Sequence, residues 1–140
     1  MAKSSASAVS DNHTITAIQA SKSLKQAIKA QRPVFLWGPP GIGKSDVVQQ
    51  LAVELGGSAD AMIDLRMAQM EPTDIRGIPF FNKDVNKMDW AEPVDLPSEE
   101  FASKYPHVIL FLDEMNSAPP AVQAAGYQLI LNRRVGKYKL

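Results

Sequence analysis

The chain has 140 residues, enough for one domain with a proper core. Lysine plus arginine and aspartate plus glutamate stand at 15 each, so no global positive charge advertises nucleic acid. Cysteine is absent, which excludes disulfides, thiol catalysis and cysteine zinc sites, and no apolar run reaches the length of a membrane span.

Residues 1–12 are rich in Ser and Ala and lack the apolar h-region of a signal peptide, so 1–13 reads as a disordered tail. Ala17, Ala20, Leu24, Ala27 and Ile28 then recur at helical spacing. This predicts a helix over 16–31, with Thr14 or Thr16 as N-cap and Pro33 forcing its end. Its lysines, Lys22, Lys25 and Lys29, read as a solvated face.

Val34-Phe35-Leu36-Trp37 is a short apolar run that predicts a buried parallel strand. It leads into Gly38-Pro39-Pro40-Gly41-Ile42-Gly43-Lys44-Ser45, which fits the phosphate-loop pattern G-x-x-x-x-G-K-[ST] at every fixed position. The glycines let backbone N–H groups approach phosphate oxygens where side chains would collide. Lys44 is the residue that reaches the β- and γ-phosphates of such a ligand, and the Ser45 hydroxyl coordinates Mg²⁺. Val47, Val48, Leu51, Ala52 and Leu55 share one helical face, and Gly56-Gly57 stops the helix. A helix opening at Lys44, Ser45 and Asp46 completes an anion site with its N-terminus.

Residues 61–65 predict a second strand. The segment 66–77 has two readings: a loop facing nucleotide or a neighbouring subunit, or a helical turn packing Met67, Met70 and Ile75. Residues 78–106 are punctuated by Pro79, Pro93, Pro97 and Pro106. Here a hairpin around 80–90, with Trp90 packed, is followed by a short helix from Ser98 to Lys104. A connection this long in a compact domain marks a candidate partner-binding or pore-facing insertion.

Val108-Ile109-Leu110-Phe111-Leu112 is the strongest strand signal, buried on both faces, and it ends in Asp113-Glu114. An acidic pair there sits at the carboxyl edge of the sheet, where Asp113 can share Mg²⁺ with Ser45 and Glu114 can polarise an attacking water. His107 beside this strand reads as structural. Ser117 is expected to cap a helix running from 118 to Asn132. Residues 133–140 open a hairpin and hold Arg133, Arg134, Lys137 and Lys139, the one dense positive cluster. That cluster keeps open a reading as a nucleic-acid ATPase such as a helicase loader.

Together, residues 36–45 and 110–125 resemble the AAA+ ATPases, specifically the MoxR-like branch. The first stretch is the Gly-Pro-Pro-Gly form of the Walker A loop; the second is a Walker B segment running into a Pro-Pro-x-Val-Gln helix. Residues 64–66 through 74–77 are similar to the branch's second-strand segment. The resemblance covers 14–140. It implies an α/β, three-layer P-loop NTPase fold of AAA+ type, with a parallel sheet ordered 5-1-4-3-2. It implies ATP and Mg²⁺ as ligands, with phosphates held by Gly38, Pro39, Pro40, Gly41, Ile42, Gly43, Lys44, Ser45 and Asp46, metal at Ser45 and Asp113, and catalysis by Glu114 and Lys44. A homo-oligomer, hexameric in the family, is also implied, with a von Willebrand factor A-type protein as partner; the cytoplasmic location expected for the chain comes from its lack of cysteine, which suits a reducing cytosol. The chain stops before the family's sensor-1 strand, arginine finger and lid, so the resemblance implies a partial, truncated core. That leaves a second functional reading, a nucleotide-binding module without turnover of its own.

Overall fold

The computed structural model describes residues 14–140; the expected tail at 1–13 lies outside the described residues. Helix α1 (Ala17–Lys29) starts where the sequence indicates. Thr16 accepts from the Gln19 N–H, and the Gln19 side chain accepts from the Thr16 N–H, a reciprocal capping box. Ala20 and Leu24 bury its inner face, and Lys25 pairs across to Glu54 of helix α2 (Lys44–Gly56). Gly57 ends α2 in the left-handed conformation at φ 79°, as the Gly-Gly stop predicts.

Strand β1 (Met62–Arg66) follows a 3₁₀ turn, one residue later than expected. Met67–Gln69 and helix α3 (Pro72–Arg76) then realise the packing reading of 66–77: Met67 and Ile75 are fully buried. The expected hairpin is present as antiparallel strands β2 (Ile78–Asn82) and β3 (Lys87–Ala91), in the register Phe81 to Met88. At its root Gly77 has φ 85°, and a Cβ there would stand 2.0 Å from the Ala91 carbonyl oxygen, so only glycine fits. Trp90 corrects the expectation of a packed residue. It is exposed, because no described element packs as a further layer against the hairpin's apolar residues.

Helix α4 (Glu99–Ser103) is capped by Ser98, whose hydroxyl accepts from the Phe101 N–H at 3.1 Å. Strand β4 (Ile109–Asp113) pairs in parallel with β1, setting Leu65 beside Leu112 and Arg66 beside Asp113. Helix α5 (Pro120–Asn132) starts at two prolines, and its cap corrects the expectation for Ser117. That residue closes a 3₁₀ turn, Met115–Ser117, and Pro119 stands at the N-cap without a side-chain bond. The chain ends in the expected hairpin, strands β5 (Arg134–Val135) and β6 (Tyr138–Lys139).

Alternation along the strands sorts their two faces. Ile63, Leu65, Leu110 and Leu112 pack onto the core built with Met67, Ile75, Val122, Leu129 and Val135. The intervening Asp64, Arg66, Phe111 and Asp113 therefore point to the other face, on the side where α2 crosses β1 and β4. None of the buried residues of α2 belongs to that core cluster.

Two expectations about strands fail for one reason. Residues 34–37 form no paired strand, and Trp37 is 79% exposed. Strand β4 is only half-buried along its whole length. A cavity of about 970 Å³ separates the two, bordered by Val34 to Trp37 on one side and Ile109 to Asp113 on the other. An apolar composition makes a segment a candidate strand, but only a hydrogen-bonding neighbour makes it one. The implied order 5-1-4-3-2 seats another strand between these two, and no described residue supplies it. The order's neighbouring second and third strands do pair, as β1 and β4.

The C-terminal hairpin is tied to the rest by Tyr138, whose hydroxyl donates to the Pro97 carbonyl at 2.7 Å. Burial, aided by the charge of Glu92, pushes its phenol up to about 12. An unfolded phenol ionises near 10, so the folded state keeps a proton that the unfolded state has lost between those values. This contribution is complete below pH 10 and declines towards pH 12, by up to about 1.4 kcal/mol per pH unit. Denaturant melts across that window are expected to show the decline, and Tyr138→Phe to remove it. Among the described residues no helix is long and apolar enough to cross a membrane.

Candidate functional site

The phosphate-loop sequence forms the turn its glycines predict. Gly41 and Gly43 lie at φ 79° and 84°, in the left-handed region. The second of these is the N-cap of α2, so the helix opens at Lys44. Its first-turn N–H groups have no partner within the helix, and they meet the positive end of the helix dipole. Asp46 places a carboxylate in the same turn, close to Gly43, so any phosphate contact from this residue comes through its backbone. Lys44 Nζ donates to the Gly38 carbonyl at 2.8 Å, and Ile42 Cδ1 lies 2.6 Å from where a Cβ on Gly38 would be. The loop thus closes on its own lysine and isoleucine.

Across from it, β4 delivers Asp113 and Glu114. The Glu114 N–H donates to Asp113 Oδ1 at 2.8 Å, and Glu114 itself sits at φ 54°. A non-glycine residue pays about 1 kcal/mol or more for that conformation, and such strain collects where a side chain is being aimed. Here it turns Glu114 out of the strand line at the carboxyl edge of the sheet. Motif spacing alone did not show this.

The 970 Å³ cavity brings the two halves together: Gly38, Pro39, Pro40 and Lys44 border it along with Asp113 and Glu114. Gly41, Ile42, Gly43, Ser45 and Asp46 belong to the loop and the first helical turn and do not border it. Sequence motifs also left out two charged neighbours. Asp64 and Arg66 stand on the same sheet face as Asp113, with Arg66 directly beside it in register. Partial burial holds the Asp64 carboxyl above its usual range; Asp113 adds repulsion, Arg66 opposes it, and Glu114 repels more weakly. Only the strand register could reveal this neighbourhood, although the i, i+2 spacing of Asp64 and Arg66 hinted at a shared face.

The phosphates of a nucleotide fit what is present: helix N-terminal amides with no partner within the helix, and a lysine beside them. Among the described residues no group of three or more His, Cys, Asp or Glu side chains gathers to hold a metal. Mg²⁺ needs no such cage, since it keeps waters and takes phosphate oxygens with one or two protein ligands. Ser45 and Asp113 are of the right chemistry for that.

This arrangement, a glycine loop opening a helix opposite a strand that ends in acids, defines an α/β P-loop nucleotide-binding fold. Comparison with known families agrees: residues 33–138 match the AAA domain, dynein-related subfamily. The chain belongs to this AAA family. It is also similar to the ATP-dependent Clp protease ATP-binding subunit ClpE of Lactococcus lactis, 32% identical over 117 residues, which is 76% of this chain and 14% of that protein. The same subunit of Streptococcus pneumoniae is 32% identical over 114 residues, covering 74% of this chain and 14% of the relative. A 29-residue stretch is 62% identical to the replication factor C large subunit of Pyrobaculum calidifontis, 21% of this chain and 7% of that protein. The chain therefore spans about one seventh of the ClpE relatives. No solved structure gives a significant match.

Proposed function

We propose that this chain binds Mg-ATP and hydrolyses it, as the nucleotide-binding core of a protein-remodelling AAA+ ATPase of the MoxR-like type. The observation that carries this is the shared cavity, bordered both by Lys44 at the start of α2 and by Asp113 and Glu114 at the end of β4. Lys44 exchanges the Gly38 carbonyl for β- and γ-phosphate oxygens, a charge-assisted contact stronger than the one it gives up. Amides of the loop and first helical turn hold the remaining phosphate oxygens. The Ser45 hydroxyl and the Asp113 carboxylate would hold Mg²⁺, which would supply charge neutralisation for the transferred phosphoryl group. Glu114 accepts a hydrogen bond from water and orients it for in-line attack on the γ-phosphorus; the bond from that phosphorus to the bridging oxygen breaks, ADP leaves with that oxygen, and the water's proton passes to the carboxylate. Ring assembly and a von Willebrand factor A-type partner belong to this reading as well. They rest on the resemblance.

A second reading, nucleotide binding without turnover, is favoured by residues 34–37, which lead into the phosphate loop with no strand neighbour among the described residues. The nucleic-acid reading has less support. Lys137 is engaged with Asp89, which lowers that carboxyl, and Arg133 donates to the Gln31 carbonyl. Steady-state ATP hydrolysis per subunit, followed over a wide range of protein concentration with Lys44→Ala as blank, separates the first two readings. A rate that climbs with concentration is expected for an assembling ATPase. A rate equal to the blank with ATP still bound would leave the binding module.

A further inference from the structure

The carboxyl edge of the β1–β4 pair carries more charge than the phosphate-loop motifs assign. Parallel register sets Arg66 beside Asp113 and Asp64 beside Phe111, and alternation puts Asp64, Arg66 and Asp113 on one face. Asp64 is close enough to interact electrostatically with Asp113, Glu114 and Arg66. No described salt bridge commits Arg66 to any carboxylate, and its guanidinium acts through space on Asp64. On its far side Asp64 borders a shallow hollow of about 450 Å³ shared with Arg66, Gln69, Asp74 and Asp95.

From this geometry we infer that Asp64 and Arg66 form an opposed charge pair that sets the divalent-cation affinity of the neighbouring Asp113–Glu114 edge. Neither residue is a metal ligand in this account. Asp64 adds negative potential where a cation must sit, and Arg66 subtracts it, acting as a resident counter-ion. A unit charge several ångströms from a divalent ion, mostly through water, changes its affinity by roughly three- to tenfold, and salt weakens the effect. The inference rests on the Mg-ATP reading above and deepens it: the cation requirement of that site is tuned by two residues of a neighbouring strand.

The test is the half-saturating free Mg²⁺ concentration for binding of a fluorescent ADP to the full 140-residue chain at low salt. Asp64→Asn is expected to raise that concentration about three- to tenfold, and Arg66→Gln to lower it by a similar factor. Arg66→Lys keeps the charge and is expected to stay near the parent, while the Asp64→Asn, Arg66→Gln pair returns close to it. All these shifts are expected to shrink in 0.5 M salt, with the Debye length below about 5 Å. Opposite signs are the diagnostic, since loss of a merely structural role moves both variants the same way. Shifts of equal sign, or none, in a parent that binds nucleotide with Mg²⁺ dependence would overturn this inference alone. A parent that binds no nucleotide at any Mg²⁺ concentration would overturn it together with the Mg-ATP reading.

Discussion

Replacing Lys44 with alanine is expected to weaken ATP binding by on the order of a hundredfold or more. The amine is the one side-chain cation of the phosphate loop, and it borders the cavity where the phosphates are to sit. Charge-assisted bonds from a partly buried ammonium to phosphate contribute about 3 kcal/mol, the equivalent of more than two decades in Kd. The same substitution removes only a 2.8 Å bond to the Gly38 carbonyl from the fold, an acceptor that water can satisfy. The variant should therefore melt within a few degrees of the parent. Calorimetric titration beside a thermal melt separates lost binding from lost structure; unchanged affinity would remove the lysine from the site.

The second large effect is expected from Glu114→Gln: ATP binding within about threefold of the parent, with turnover lowered by roughly 10²- to 10⁴-fold. Glutamine keeps the length and the strained backbone position, φ 54°, but cannot take a proton from water. Because the Asp113 carboxylate bonds the Glu114 backbone N–H and not its side chain, the substitution leaves that local support intact. Single-turnover hydrolysis by the variant at the parent's rate would sink the assignment of Glu114 as the group that orients water.

How far the residues alone lead can be read from particular segments. Local devices were legible because each is contained within a few residues. The cap at Thr16, one of two candidate threonines, the glycine stop at Gly57, the Ser98 cap and the tight glycine turn of the phosphate loop all appear where local chemistry demands them; the Gln19 half of the capping box is seen only in the structure. The phosphate loop and the acidic end of β4 were legible for the same reason, as short patterns with a direct chemical purpose. What required the third dimension was pairing and packing. Residues 34–37 have the composition of a buried strand, yet no edge among the described residues reaches them. Trp90 has the composition of a core residue, but it stands exposed on a hairpin that no described element packs over as a layer. Ser117 is a good cap by type, but two prolines after it start the helix later, and a 3₁₀ turn takes the serine. Asp64 and Arg66 came to the site only through strand register, which residue spacing does not specify.

The account stands on the claim that the loop at the start of α2 and the acids at the end of β4 make one nucleotide site. The most direct measurement is calorimetric titration of ATP into the chain with and without Mg²⁺. One ATP per chain, bound more tightly with Mg²⁺ and displaced by ADP, is the predicted result. No saturable binding in either condition, from a chain that melts cooperatively, would contradict the claim.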